Sequence, residues 1–217
     1  MSYKQSRNYE NLQKRIFNGV GPYDIPALEP VTLDTIPEFI GFNYARGCDE
    51  PEAHGVHFFV DDYQFIRLWT NPDNYLNMLG RFACVATPDF STYTDFPKAV
   101  QVYNHYRKHW LGAYWQEHGV TVVPTISWSD ESSFEWCFDG EPVGGAVAVS
   151  SVGTQMNKRT AELFRHGYSE MIQRLSPSQI LFCGAVPDDL ERGGEIIRIA
   201  TFQDRLRAYD RPRKDVE

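Results

Sequence analysis

The feature that most limits what this chain can fold into is a repeated grammar. A short apolar run ends in a polar residue and hands over to a helical pattern. The clearest copy is Phe82-Ala83-Cys84-Val85-Ala86-Thr87-Pro88-Asp89-Phe90-Ser91. Its apolar part has the length of a buried strand and is bounded by turn formers. Earlier copies are Glu38-Phe39-Ile40-Gly41-Phe42-Asn43 and Val56-His57-Phe58-Phe59-Val60-Asp61-Asp62. Later ones fall at 120–126, 145–150 and 179–184, with an edge strand expected over 195–201. Between them the spacing predicts helices over 63–70, 97–118 and 158–175, with a further turn from Asp73. Pro97 suits a first helical turn and Gly119 a stop. The stripe Ala99, Tyr103, Tyr106, Trp110, Ala113 and Tyr114 marks the inner face of the 97–118 helix. Strands alternating with helices of this length mean βα units and a mostly parallel sheet. Short strands ending in polar residues or Gly favour a TIM-like barrel, complete or incomplete, over the runner-up, an open doubly wound sheet. No GxGxxG and no GxxxxGK[ST] follows any strand, so the dinucleotide and P-loop fingerprints are missing.

At 217 residues the chain is expected to form one α/β domain. Residues 1–37 read as an N-terminal helix over 9–18 and a Pro-rich strap, 38–203 as the βα core and 204–217 as a charged tail. The net charge of −8 argues against a protein that grips nucleic acid by its phosphates. Basic residues gather only in the tail, at Arg205, Arg207, Arg211, Arg213 and Lys214. The nucleic-acid footprint is therefore weak, while a small-molecule or nucleotide ligand in a recessed site fits the charge. Cys48, Cys84, Cys137 and Cys183 show no CxxC spacing, and Cys84 and Cys183 belong to expected buried strands. No signal-like segment and no run of membrane length is present, so the expected location is the cytoplasm.

If the units are parallel, Asn43, Asp61, Asp62, Asp89, Trp128, Ser129, Asp130, Ser150 and Ser151 share one face at the strands' carboxyl ends. Taken singly, each Asp reads as a cap on the following helix. Taken together they read as a site. Converging carboxylates hold a hard divalent ion, Mg²⁺ or Mn²⁺, or divide acid and base work between them. The expected roles are Asp61, Asp62 and Asp89 as catalytic groups, with Asp62 and Asp89 as metal ligands. Asn43, Ser129, Asp130, Ser150 and Ser151 are expected to position substrate, with Trp128 as a stacking wall. Arg107, inside the aromatic stripe, is expected either sandwiched between rings or paired with a carboxylate, with an anion contact as the alternative. His57 and His54 lack an HxH or HExxH partner and are expected to be structural or at the surface. His105, His109 and His118 are expected on solvated parts of the long helix.

Several motifs also form a recognisable set. They are His57-Phe58-Phe59-Val60-Asp61-Asp62-Tyr63, Thr87-Pro88-Asp89-Phe90-Ser91, Tyr106-Arg107 with 110–116, Pro124-Thr125-Ile126-Ser127-Trp128-Ser129 and Val149-Ser150-Ser151-Val152-Gly153. On these the chain resembles the family known as domain of unknown function 4417, found in bacteria, plasmids and phages. The resemblance implies a mobile-element or phage setting and brings no activity with it. The expected function is divalent-metal-dependent hydrolysis of a phosphate-bearing substrate, a nucleotide or a phosphodiester. That substrate class follows from the setting alone. The alternatives are a non-catalytic accessory protein that binds a small molecule or a protein, and an oligomer that buries its aromatic surplus at an interface.

Overall fold

The computed structural model describes residues 9–191, 193–201 and 204, so the expected charged tail beyond Asp204 and the first eight residues lie outside the described residues. In chain order the strands are β1 (Gly19–Val20), β2 (Ile25–Pro26), β3 (Glu38–Gly41), β4 (His54–His57), β5 (Cys84–Ala86), β6 (Val122–Val123), β7 (Ala146–Ser150), β8 (Gln179–Cys183) and β9 (Glu195–Ile199). The α-helices are α1 (Phe42–Ala45), α2 (Arg67–Thr70), α3 (Asp73–Leu79), α4 (Lys98–Glu117) and α5 (Lys158–Leu175). This is a mixed α/β fold. A four-stranded parallel sheet runs β3-β4-β5-β6 and a three-stranded parallel sheet runs β7-β8-β9. A single parallel bridge, Thr125 to Ala148, joins the two, so all these strands neighbour one another in chain order.

The two faces of these strands carry different residues. Ile40, Val56, Val85 and Val122 pack outward against Trp110, Leu111 and Trp115 of α4. Val147, Val149, Ile180 and Phe182 pack outward against Phe164, Tyr168 and Met171 of α5. The opposite face is a separate cluster that draws on both sheets and includes Phe39, Cys84, Ala86, Val123, Ala148, Leu181 and Ile199. The strap fastens beneath these strands. Ala146 donates its N–H to the Val31 carbonyl (2.6 Å), and Gln179 holds Leu33 through both its amide atoms (2.8 and 3.0 Å).

Helix α5 follows its pattern closely. Asn157 and Thr160 form a reciprocal capping box, the buried stripe runs through Phe164, Tyr168, Met171, Ile172 and Leu175, and left-handed Ser176 followed by Pro177 ends it. Helix α4 ends where Gly119 turns to φ +80°.

Other expectations need correction. The 9–18 segment is a series of turns and no helix, because Glu10 and Asn11 adopt left-handed backbone. Their side chains bind elsewhere: Glu10 accepts from the Trp69 indole (2.8 Å) and from the Tyr103 hydroxyl, and Asn11 donates to the Trp69 carbonyl (2.7 Å). These tertiary bonds outweigh a weak amphipathic pattern. The 38–43 strand stops at Gly41, where α1 begins with Phe42, and the 56–62 strand runs instead over His54–His57. The 63–70 helix divides into a 3₁₀ turn, Asp62–Gln64, and the short α2. No helix among the described residues is long and apolar enough to cross a membrane.

Candidate functional site

A cavity of about 700 Å³ opens beyond the carboxyl ends of β3, β4, β5 and β7. Its polar lining includes Asn43, Asp61, Asp62, Asp89, Ser91 and Ser150, and Phe59, Tyr63, Tyr93 and Phe96 supply aromatic surface. The strands place these groups. Asn43 follows β3, the two aspartates follow β4, Asp89 and Ser91 follow β5, and Ser150 ends β7. Among the described residues, none of the lining side chains is Lys, Arg or His.

Asp62 is held firmly. Ser91 donates its backbone N–H to one carboxylate oxygen (3.1 Å) and its hydroxyl to the other (2.9 Å). Behind Ser91 lies α4: Asn104 donates to the Ser91 carbonyl (2.6 Å) and accepts from the Arg107 guanidinium (2.5 Å). The Arg107 guanidinium also lies over the rings of Phe90 (4.1 Å) and Tyr103 (4.8 Å), the expected sandwich. Arg107 thus backs the site without lining the cavity.

Asp89 faces the cavity beside Asp62. Burial pushes its carboxyl up to about 7, with Lys108 opposing the shift and the Asp62 charge adding to it. Asp61 heads the 3₁₀ turn but makes no side-chain cap bond, so capping does not explain it.

The remaining expected residues sit elsewhere. Trp128 lies against Phe164 (ring centroids 5.5 Å apart) and over Gly167, where an added Cβ would stand 2.2 Å from the indole. Asp130 caps the 3₁₀ helix Glu131–Glu135, accepting from the Ser132 hydroxyl (2.5 Å) and N–H (3.0 Å), and these bonds, the hydroxyl's first, hold its carboxyl low. Ser129 is buried, and its N–H bonds the Ser133 hydroxyl (3.0 Å). Ser151 donates to the Ala185 carbonyl (2.6 Å), tying two loops together.

Sequence reasoning missed the positioning pair Ser91 and Asn104, although Ser91 closes the Thr87-to-Ser91 motif. It also misplaced two histidines. His105 and His109 are almost wholly buried, not solvated. They stand beside Lys108 and Glu141, which are buried as well. Lys108 donates to the Glu141 carboxylate (2.5 Å) and to the Thr125 carbonyl (2.8 Å), and His109 Nε2 lies 3.0 Å from the same Glu141 oxygen. One ligand atom each from His105, His109 and Glu141 lie within 4.8 Å of one another, a group able to hold a metal ion. Burial holds both imidazoles below their ordinary range, aided by the Lys108 charge. Burial alone would raise the Glu141 carboxyl, but Lys108 and His109 outweigh it and keep it low.

Comparison with known proteins agrees with the motif resemblance. The chain is 39% identical over 198 residues to the Gene 1 protein of Mycobacterium phage L5, covering 89% of this chain and 85% of that one. It is 37% identical over 196 residues to the Gene 1 protein of Mycobacterium phage D29, covering 88% of this chain and 72% of that one. No solved structure matches it. The profile described as "Domain of unknown function (DUF4417)" matches residues 17–203, and the chain belongs to that family.

Proposed function

We propose that this is a phage-associated, cytoplasmic enzyme whose carboxylate-lined cavity binds Mg²⁺ or Mn²⁺ and hydrolyses a phosphate-bearing small molecule. Asp62 and Asp89 are the metal ligands and Asp61 the third acidic group. Asn43 and Ser150 position the substrate. The observation that carries this reading is the charge of the lining: among the described residues it has three carboxylates and no basic side chain. An anionic substrate enters such a cavity only with a cation between it and the aspartates, and hard oxygen ligands suit Mg²⁺ or Mn²⁺. The two phage relatives support the setting. The same reading takes the in-order parallel strands as an incomplete TIM-like barrel. Its support is the apolar cluster on the face away from the helices, which draws on β3 and β5 through β9.

A second reading has its own observation. Phe59, Tyr63, Tyr93 and Phe96 give the cavity aromatic surface on which a neutral planar ligand would stack without a metal. Thermal unfolding with Mg²⁺ and Mn²⁺ separates the two. The metal reading expects a raised midpoint, with about 2.7 kcal/mol of added stability at a hundred times the Kd. It also expects that rise to vanish in Asp62→Asn and Asp89→Asn. A midpoint unmoved by either ion in the wild-type protein gives the cavity to the neutral ligand.

A further inference from the structure

The sealed cluster on the far side of α4 carries a more specific conclusion than its ability to hold an ion. His105 Nε2 lies 3.0 Å from the Asp139 carbonyl and His109 Nδ1 lies 2.8 Å from the Pro26 carbonyl. A carbonyl oxygen only accepts, so both of these nitrogens carry their protons. In a neutral ring the other nitrogen is then a bare lone pair. For His105 that is Nδ1 and for His109 it is Nε2. Metal-ligating histidines are typically held in this way, one nitrogen donating to a backbone carbonyl and the other free to coordinate.

The bare His109 Nε2 also stands 3.0 Å from a Glu141 carboxylate oxygen. Two acceptors at that distance need a cation or a proton between them. Lys108 serves one oxygen of Glu141, but the other, Oε2, is sealed from solvent with no hydrogen-bond partner. A buried carboxylate oxygen left bare costs free energy unless something binds it. The rings of His105 and His109 are 4.4 Å apart between centroids on successive turns of one helix, and one nitrogen of each lies within 4.8 Å of the other and of a Glu141 oxygen.

We propose that His105 Nδ1, His109 Nε2 and the Glu141 carboxylate form a zinc site, distinct from the cavity at the strand ends. Two imidazoles and a carboxylate match zinc's preferred donors and leave a fourth tetrahedral position for water. The site joins α4 to the Pro26 strap and to the 139–141 turn, so its role is to lock these segments together. Lys108 is the built-in competitor, because it and zinc both claim Glu141.

The test begins with the wild-type chain, purified without chelator or added metal and assayed for metal by plasma mass spectrometry. About one zinc per chain is expected. After chelator treatment the unfolding midpoint should fall, and zinc should restore it. Titration with Co²⁺ should give the visible d–d absorption of a tetrahedral centre. His105→Gln should lose that absorption, while Asp62→Asn and Asp89→Asn should keep it, which separates this site from the cavity whatever the fate of the Mg²⁺ reading. Lys108→Met, which keeps the stem's bulk and removes the competing cation, should hold zinc against higher chelator concentrations. Wild-type protein that folds without zinc, ignores added zinc and gives no Co²⁺ absorption would overturn the proposal. A proton, and no metal, would then lie between His109 Nε2 and the Glu141 oxygen.

Discussion

Helix α4 serves two acidic centres in opposite ways. Asn104 and Arg107 reach toward the cavity, where they brace Ser91 and through it Asp62. His105, Lys108 and His109, their direct neighbours in sequence, turn to the sealed pocket around Glu141. Lys108 acts on a carboxylate in each, lowering both Glu141 and Asp89. Yet Glu141 ends below its ordinary range, and Asp89 ends at about 7. The difference is contact. Glu141 receives a direct ammonium bond, whereas Asp89 feels the same charge at a distance and has Asp62 as a like-charged neighbour. A carboxylate with its partner in contact is part of the scaffold. One beside a second carboxylate, open to a cavity, is poised to release a proton or take a cation.

Removing the two carboxylates should therefore move stability in opposite directions. Glu141→Gln leaves the Lys108 ammonium buried without its counter-charge and should cost about 3–5 kcal/mol. Urea unfolding, run with chelator present so that metal plays no part, measures this. The double variant Lys108→Met, Glu141→Leu should recover most of the loss, since an apolar pair of similar size replaces a buried ion pair at little cost. A double variant no more stable than Glu141→Gln would show that shape, not charge, holds this pocket together.

Asp89→Asn should do the reverse. The carboxyl's folded value of about 7 lies above its unfolded value of 3.8. Between those values the folded state binds the proton more tightly, so this group's contribution to stability falls as pH rises through the window. Above about 7 both states are ionised and the penalty is constant. Asparagine does not titrate. Without metal, the variant should match the wild type near pH 4 and exceed it by about 1–3 kcal/mol at pH 8, the full shift being reduced by the cavity water. Unfolding curves at the two pH values check the sign. Equal stability at both would mean that Asp89 is solvated and ordinary, and the contrast with Glu141 would go with it.

How much of this was legible beforehand follows from where each partner sits in the chain. Residues 158–175 announced a helix because periodicity and the Pro177 stop are both local. The strand-end aspartates could be placed on one face because parallel βα units repeat a rule, and Asn43, Asp61, Asp62, Asp89 and Ser150 do line one cavity. The Glu141 pocket was hidden for the opposite reason. The apolar stripe of α4 was counted without its polar residues, and His105, Lys108 and His109 are buried only because the 139–141 turn and the Pro26 carbonyl lie across from them. Those pairings are 32 or more residues apart, and no helical period encodes them. The 9–18 segment failed likewise, its Glu10 bound to Tyr103 across 93 residues.

The smallest expected effect is also the sharpest limit on the cavity. Asp130 has the same sequence credentials as Asp89, a carboxylate just past the end of a predicted strand. Its oxygen is already engaged by the N–H and hydroxyl of Ser132, and it does not line the cavity. Asp130→Ala should cost about 1 kcal/mol, the usual loss for an N-cap, and should leave any Mg²⁺ or Mn²⁺ stabilisation at its wild-type size. Thermal unfolding with and without the ion measures both quantities on one protein. A lost metal response would extend the acidic centre to the far end of the strand row and remove the distinction between capping and cavity carboxylates. A retained response with the small loss confines the centre to the aspartates that follow β4 and β5, where Ser91 orients one and burial beside it tunes the other.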